Sequence, residues 1–141
     1  MTETDITRIE SSLGCALPGE YRDFLVRHAD EVRRIKKLLP FRAVLWTDAD
    51  EIIRQNHDAR TYATAVTFGH DEQPWPDNFL VVGTNGGGDY WFIHCNESKP
   101  GVWFWQHEAH QIEQRNPSLR AYLEELRREM SLPSRGQQPH S

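Results

Sequence analysis

Apolar residues recur at intervals of three and four from the start of the chain. Ile6, Ile9 and Leu13 share one face of a predicted helix, with Thr4 or Asp5 as its N-cap and Gly14 in the left-handed position that ends it. Leu17-Pro18-Gly19-Glu20 restarts a second, short helix, with Pro18 in its first turn, where the missing N–H costs nothing. Tyr21, Phe24, Leu25 and His28 form its apolar stripe. The run Arg33-Arg34-Ile35-Lys36-Lys37 alternates with Val32 and Leu38 as a solvated helical turn or an edge strand would. Phe41 to Trp46 reads as a strand, and Thr47 caps a third helix that runs to about Asn56.

Residues 57–78 read as a long loop holding a short strand at 65–68 and the Pro74-Trp75-Pro76 pair, where the prolines prevent regular pairing and Trp75 plugs the core. Phe79–Thr84 and Asp89–His94 read as two strands joined by Asn85-Gly86-Gly87-Gly88, residues that enter positive φ cheaply. Val102–His107 extends the meander to three antiparallel strands. These strands are apolar on both faces, so they are expected to be covered on both sides. Asn116-Pro117 caps a last helix with Leu119, Leu123, Leu126 and Met130 on one face. The pattern predicts an α+β fold: a central antiparallel β-sheet, a meander, with helices packed against it. We read one domain over residues 1–132 and a flexible tail over 133–141.

Composition narrows the function. With 141 residues, 38% of them hydrophobic, the chain can bury a single core. No apolar run reaches membrane-spanning length, and MTETDITRIE lacks the regions of a signal peptide, so a soluble cytoplasmic protein is expected. The net charge of −5 is unevenly spread, because residues 43–114 carry eleven acidic groups against three basic ones, a net −8. Phosphate affinity rests on Lys and Arg, so direct nucleic-acid binding is not expected. The same segment carries Trp75, Trp91, Trp103 and Trp105, and aromatics among acids suit an interface for a basic partner, although core packing explains each of them as well.

Two cysteines, Cys15 and Cys95, are too few for a disulfide framework; two free thiols is the reading, with a single bridge left open. His94, Cys95, His107 and His110, near Asp89, could gather around zinc, but the spacing matches no ligand pattern, and neighbouring strand residues His94 and Cys95 point to opposite faces. Neither a metal nor a cofactor is therefore assigned. Asn85–Asp89 joins two strands instead of opening a helix, and it lacks the lysine and hydroxyl of a phosphate loop. No catalytic residue is assigned.

The order of motifs resembles the SMI1/KNR4 (SUKH) superfamily. Glu10, Leu13, Gly14, Leu17, Pro18, Tyr21, Phe24 and Leu25 are similar to its opening E-x-x-LG-x-x-LP-x-x-Y-x-x-FL pattern. Gly86, Gly87, Gly88, Asp89 and Tyr90 are similar to its glycine-rich hairpin, and Val102, Trp105, His107 and Glu108 to its V-x-x-W-D-H-E strand end, with Gln106 in place of the aspartate. The resemblance spans roughly residues 5–130. It implies an immunity protein: a non-enzymatic antitoxin that occludes a cognate secreted bacterial toxin, encoded most simply by the neighbouring gene. A regulatory scaffold like the fungal members is the alternative, and a small metal enzyme using the histidine cluster comes after it. On this reading Asp48, Asp50, Glu51, Asp71, Glu72, Asp77 and Glu108 are candidates for steering a basic toxin surface.

Overall fold

The chain is described here by a computed structural model over residues 1–62, 66–68, 71–95 and 99–131. Helix α1 (Glu3–Leu13) starts from Thr2, whose hydroxyl accepts the Asp5 N–H at 3.1 Å while the Asp5 carboxylate accepts the Thr2 N–H at 3.2 Å. This reciprocal box moves the cap upstream of Thr4 and Asp5, since Asp5 is the partner three residues in. Gly14 ends the helix at φ 69°, as expected.

Helix α2 (Gly19–Leu38) is not short but runs 20 residues. Val32 and Ile35 are buried in register with Tyr21, Phe24, Leu25 and Ala29, so the helical stripe continues through the basic run, whose charges face solvent. Pro18 stands at the N-cap, outside the first turn. The expected strand at Phe41–Trp46 does not form. Its backbone is spent one group at a time instead: Leu45 N–H donates to the Tyr122 hydroxyl at 3.0 Å and Trp46 N–H to the Val82 carbonyl at 2.9 Å.

Helix α3 (Ala49–Tyr62) is capped by Asp48, which accepts the Glu51 N–H at 3.1 Å, while the expected cap Thr47 accepts from the Arg33 guanidinium. It passes Asn56 because Ile52, Asn56 and Ala59, four and three apart, are all buried. The expected loop after it is therefore partly helical. It also holds an antiparallel pair, β1 (Val66–Phe68) and β2 (Asp71–Gln73), of which only the first is anticipated.

The main sheet is a four-stranded antiparallel meander in the order β3 (Phe79–Thr84), β4 (Tyr90–His94), β5 (Val102–Gln106), β6 (Gln111–Asn116). The fold is α+β. Strand β6 adds a fourth strand to the three expected, and Asn116 is its buried last residue, not a helix cap. Ser118 does the capping, its hydroxyl accepting the Ala121 N–H at 2.9 Å, and helix α4 (Leu119–Ser131) follows. The proposed tail lies outside the described residues.

Both sheet faces are covered, as the sequence implies. Leu80, Val82 and Ile93 join the core built with the helices, and Val81, Phe92 and Trp105 form a second cluster with Ala59 and Trp75. Trp75 is 3% exposed and meets Phe79, Tyr90, Phe92 and Trp105 edge-on, with ring centroids 5.5–5.8 Å away. Trp75 and Trp105 are core, which removes these two from the interface, whereas Trp91 and Trp103 are half-buried.

Candidate functional site

A groove of about 760 Å³ opens where the C-terminal half of α2, the segment 41–47, the first turn of α3 and the β3–β4 turn converge. Arg33, Lys36 and Lys37 line it together with Asp48 and Glu51. Its floor carries Val44 and the half-buried Trp46. At its rim stands Phe41, 102% exposed, a whole aromatic ring in solvent. Scattered exposed apolar atoms are normal, and what makes this place the candidate contact surface is a bare phenyl ring beside a groove.

The loop that presents this ring is tied down. Lys36 Nζ donates to the carbonyls on either side of it, Pro40 and Arg42, both at 2.9 Å. The Arg42 guanidinium reaches α4, at 2.7 Å from Glu129 and 3.0 Å from Glu125. Burial opposes the charge on Arg42, yet these two carboxylates raise its pKa above the ordinary arginine value. A backbone held by such anchors has little ordering entropy left to lose when a partner packs on the ring it presents.

The β3–β4 turn closes the groove without offering it a phosphate cradle. Gly86 N–H donates to the Thr84 hydroxyl at 3.2 Å and Gly87 N–H to the Asn85 side chain at 2.8 Å, so these donors are already used. Gly86 at φ 82° and Gly88 at φ 96° need glycine, and a Cβ on Gly88 would sit 3.0 Å from the His107 ring. Asp89 accepts the His107 N–H at 2.9 Å, and its Oδ1 lies 2.6 Å from His107 Nδ1. Burial works against the Asp89 carboxylate, but these bonds and the Asn85 amide lower its pKa. The glycine run, Asp89 and His107 thus fasten two hairpins together.

The proposed steering acids do not form one patch. Asp48 and Glu51 flank the groove, although Asp48 is spent on the cap and Glu51 pairs with Arg54. Asp50 turns to Arg8 of α1. Glu108 is exposed in the β5–β6 turn beside His107, at the same end of the sheet, and Asp77 precedes β3 at the other end. The side chains of Asp71 and Glu72 lie outside the described residues. Of the motif residues, Leu13, Leu17, Tyr21, Phe24, Leu25, Val102 and Trp105 are buried, and Glu10 accepts the Leu17 N–H at 2.8 Å, closing the α1–α2 connection. Phe41 escapes sequence reasoning, because a strand pattern assigns an aromatic to the core; only Pro40 before it signals a loop.

The histidines are dispersed. His94 is boxed by Phe79, Phe92 and Trp103 on one face of β4, whereas Cys95 packs on the helical core. His107 is held by Asp89, and His110 is exposed at φ 53° in the β5–β6 turn. Among the described residues no three His, Cys, Asp or Glu side chains are placed to hold a metal ion. Burial, and then the Lys99 charge, lowers the His94 pKa from 6.5. The neutral ring therefore contributes stability that is whole above the unfolded-state value and is lost as pH falls through the lower folded one. Thermal melts should decline more between about pH 7 and about pH 5 for the native chain than for His94→Gln; equal declines would show that His94 does not set this dependence.

Two comparisons return nothing: no curated protein and no solved structure matches the chain. The family model described as SMI1 / KNR4 family (SUKH-1) matches residues 1–125, from α1 into α4. No helix among the described residues is long and apolar enough to cross a membrane.

Proposed function

The chain belongs to the SMI1/KNR4 (SUKH-1) family, and from that premise we propose that it is an immunity protein, which binds a cognate secreted toxin domain and neutralises it by occlusion, without catalysis of its own. The observation that carries this reading is the exposed Phe41 on its anchored loop beside the groove. Aromatic anchors surrounded by polar rims dominate protein interfaces, and an occluding contact of ordinary size covers about 800 Å² on each partner. The groove and its rim supply the centre of such a footprint.

Asp48 and Glu51 in the groove lining would draw a basic toxin surface, while Arg33, Lys36 and Lys37 beside them would fix its orientation. The toxin's own reaction is decided by the toxin. In this reading the partner is the product of the neighbouring gene and the encounter takes place in the cytoplasm.

Co-expression with that product, scored by cell survival and by a complex in size exclusion, tests the proposal. Survival with a co-eluting pair supports it; a neighbour equally lethal with and without this chain refutes it. Within such a complex, Phe41→Ala should weaken binding by roughly 30-fold, about 2 kcal/mol, and leave the melting temperature unchanged, since the ring buries nothing in the free chain. Unchanged affinity in calorimetry would move the interface elsewhere.

A further inference from the structure

Cys15 and Cys95 lie at the end of the sheet away from the groove. Cys15 follows the helix-ending Gly14, and Cys95 follows β4, its N–H donating to the Asn78 carbonyl at 2.9 Å. Although 80 residues apart in sequence, their sulfurs are 2.8 Å apart. A disulfide needs about 2.05 Å, so roughly 0.8 Å of approach separates this pair from a bond. Both thiols are partly exposed, and Cys15 lines an open depression of about 350 Å³ with Glu10, Ser11, Gly14 and Ala16.

The surroundings are prepared for a charge on sulfur. Arg60 Nε is buried with no hydrogen-bond partner among the described residues, and the Arg60 charge favours the thiolate form of both cysteines. Arg60 is fixed by bonds from its other nitrogens to the carbonyls of Leu13 at 2.9 Å and Asp77 at 3.2 Å, which holds a permanent cation beside the sulfurs. The contact between the two sulfurs favours one thiolate beside one thiol, and Cys15, which lines the open depression and is assisted by the Arg60 charge, is the sulfur a small disulfide can reach. One sulfur is thus the better nucleophile and the other remains a thiol in waiting.

We propose that Cys15 and Cys95 form a modification site, a dithiol that exchanges with low-molecular-weight disulfides of the glutathione class and closes to an intramolecular disulfide. The Cys15 thiolate attacks one sulfur of the small disulfide, whose S–S bond breaks and whose outer half leaves as a thiolate that takes up a proton. Cys95 then gives up its proton and attacks the Cys15 sulfur, expelling the second half. Two protein thiols are oxidised by two electrons, and one small disulfide is reduced to two thiols. The fixed charge of Arg60 favours the attacking anion.

The test equilibrates the full chain with glutathione buffers of rising disulfide fraction, followed by acid quench, intact mass and peptide mapping. The expected product is a monomer lighter by two hydrogens, with the Cys15 and Cys95 peptides linked. Cys95→Ser should accumulate a glutathione adduct at Cys15, and Cys15→Ser should react at Cys95 at least about tenfold more slowly. Two free thiols in excess glutathione disulfide, stable adducts on the native chain, or disulfide-linked dimers would overturn the proposal, and equal rates for the two variants would overturn the role given to Cys15.

Discussion

Asn56→Leu should cost about 3 kcal/mol of folding stability, a large share of the roughly 5–15 kcal/mol that a domain possesses. Asn56 is 1% exposed, and its side chain does the work of a missing strand. Strand β3 is an edge of the sheet, and an edge leaves N–H and carbonyl groups without partners. The Asn56 amide accepts the Val81 N–H at 2.7 Å and donates to the Val81 carbonyl at 2.8 Å, with a further bond to Ile52 of its own helix at 2.8 Å. A register shift between Val81 and Gly83 turns the next carbonyl outward as well, and Trp46 takes it. Leucine fills the same space but orphans two buried backbone groups. Urea unfolding should show an earlier midpoint with the slope unchanged; coincident midpoints would mean that the edge is closed by other means.

Gly101→Ala should be at least as damaging, about 4 kcal/mol, lowering the melting temperature by on the order of 10 °C. Gly101 lies at φ 97°, and a Cβ there would stand 2.3 Å from the Asn116 carbonyl oxygen and 2.9 Å from the Pro117 carbonyl carbon. Both obstacles are backbone and cannot swing aside. Relief requires parting the start of β5 from the point where β6 leaves the sheet for α4. Gly86→Ala is the fitting comparison: at φ 82° with nothing within 4 Å, it meets conformational strain alone, about 1 kcal/mol. Similar melting temperatures for the two variants would remove the steric argument.

Elements whose hydrophobic period stands clear of charge are legible in the sequence. Ile6, Ile9 and Leu13 announce α1, and the β3–β4 hairpin follows from two apolar runs around glycines. The second half of α2 is hidden because five consecutive residues, four of them basic, interrupt the apolar stripe, although the helix simply turns those charges outward. Strand β6 is hidden for the opposite reason. Gln111–Asn116 has Ile112 as its single aliphatic side chain, because its other face meets water and Arg115 lies over the Phe104 ring 4.3 Å away. The residues 41–46 carry strand-like side chains, but their partners are a tyrosine hydroxyl, a bulged carbonyl and α4, none of which is local in sequence. The same non-locality conceals the groove. Its acids Asp48 and Glu51 could be named from charge, whereas its aromatic anchor could not.

The contacts between α2 and α4 fix the order in which a newly made chain can become competent. The Glu20 carboxylate accepts the Leu119 N–H across 99 residues, and the Phe24 ring meets that of Tyr122 at 6.0 Å. Tyr122, Glu125 and Glu129 also hold the segment that displays Phe41. On the ribosome, the apolar stripe of α2 therefore waits uncovered until the final helix clears the exit tunnel. The segment that displays Phe41 is anchored only then, and a transcript cut short before Leu119 yields a product without a closed core.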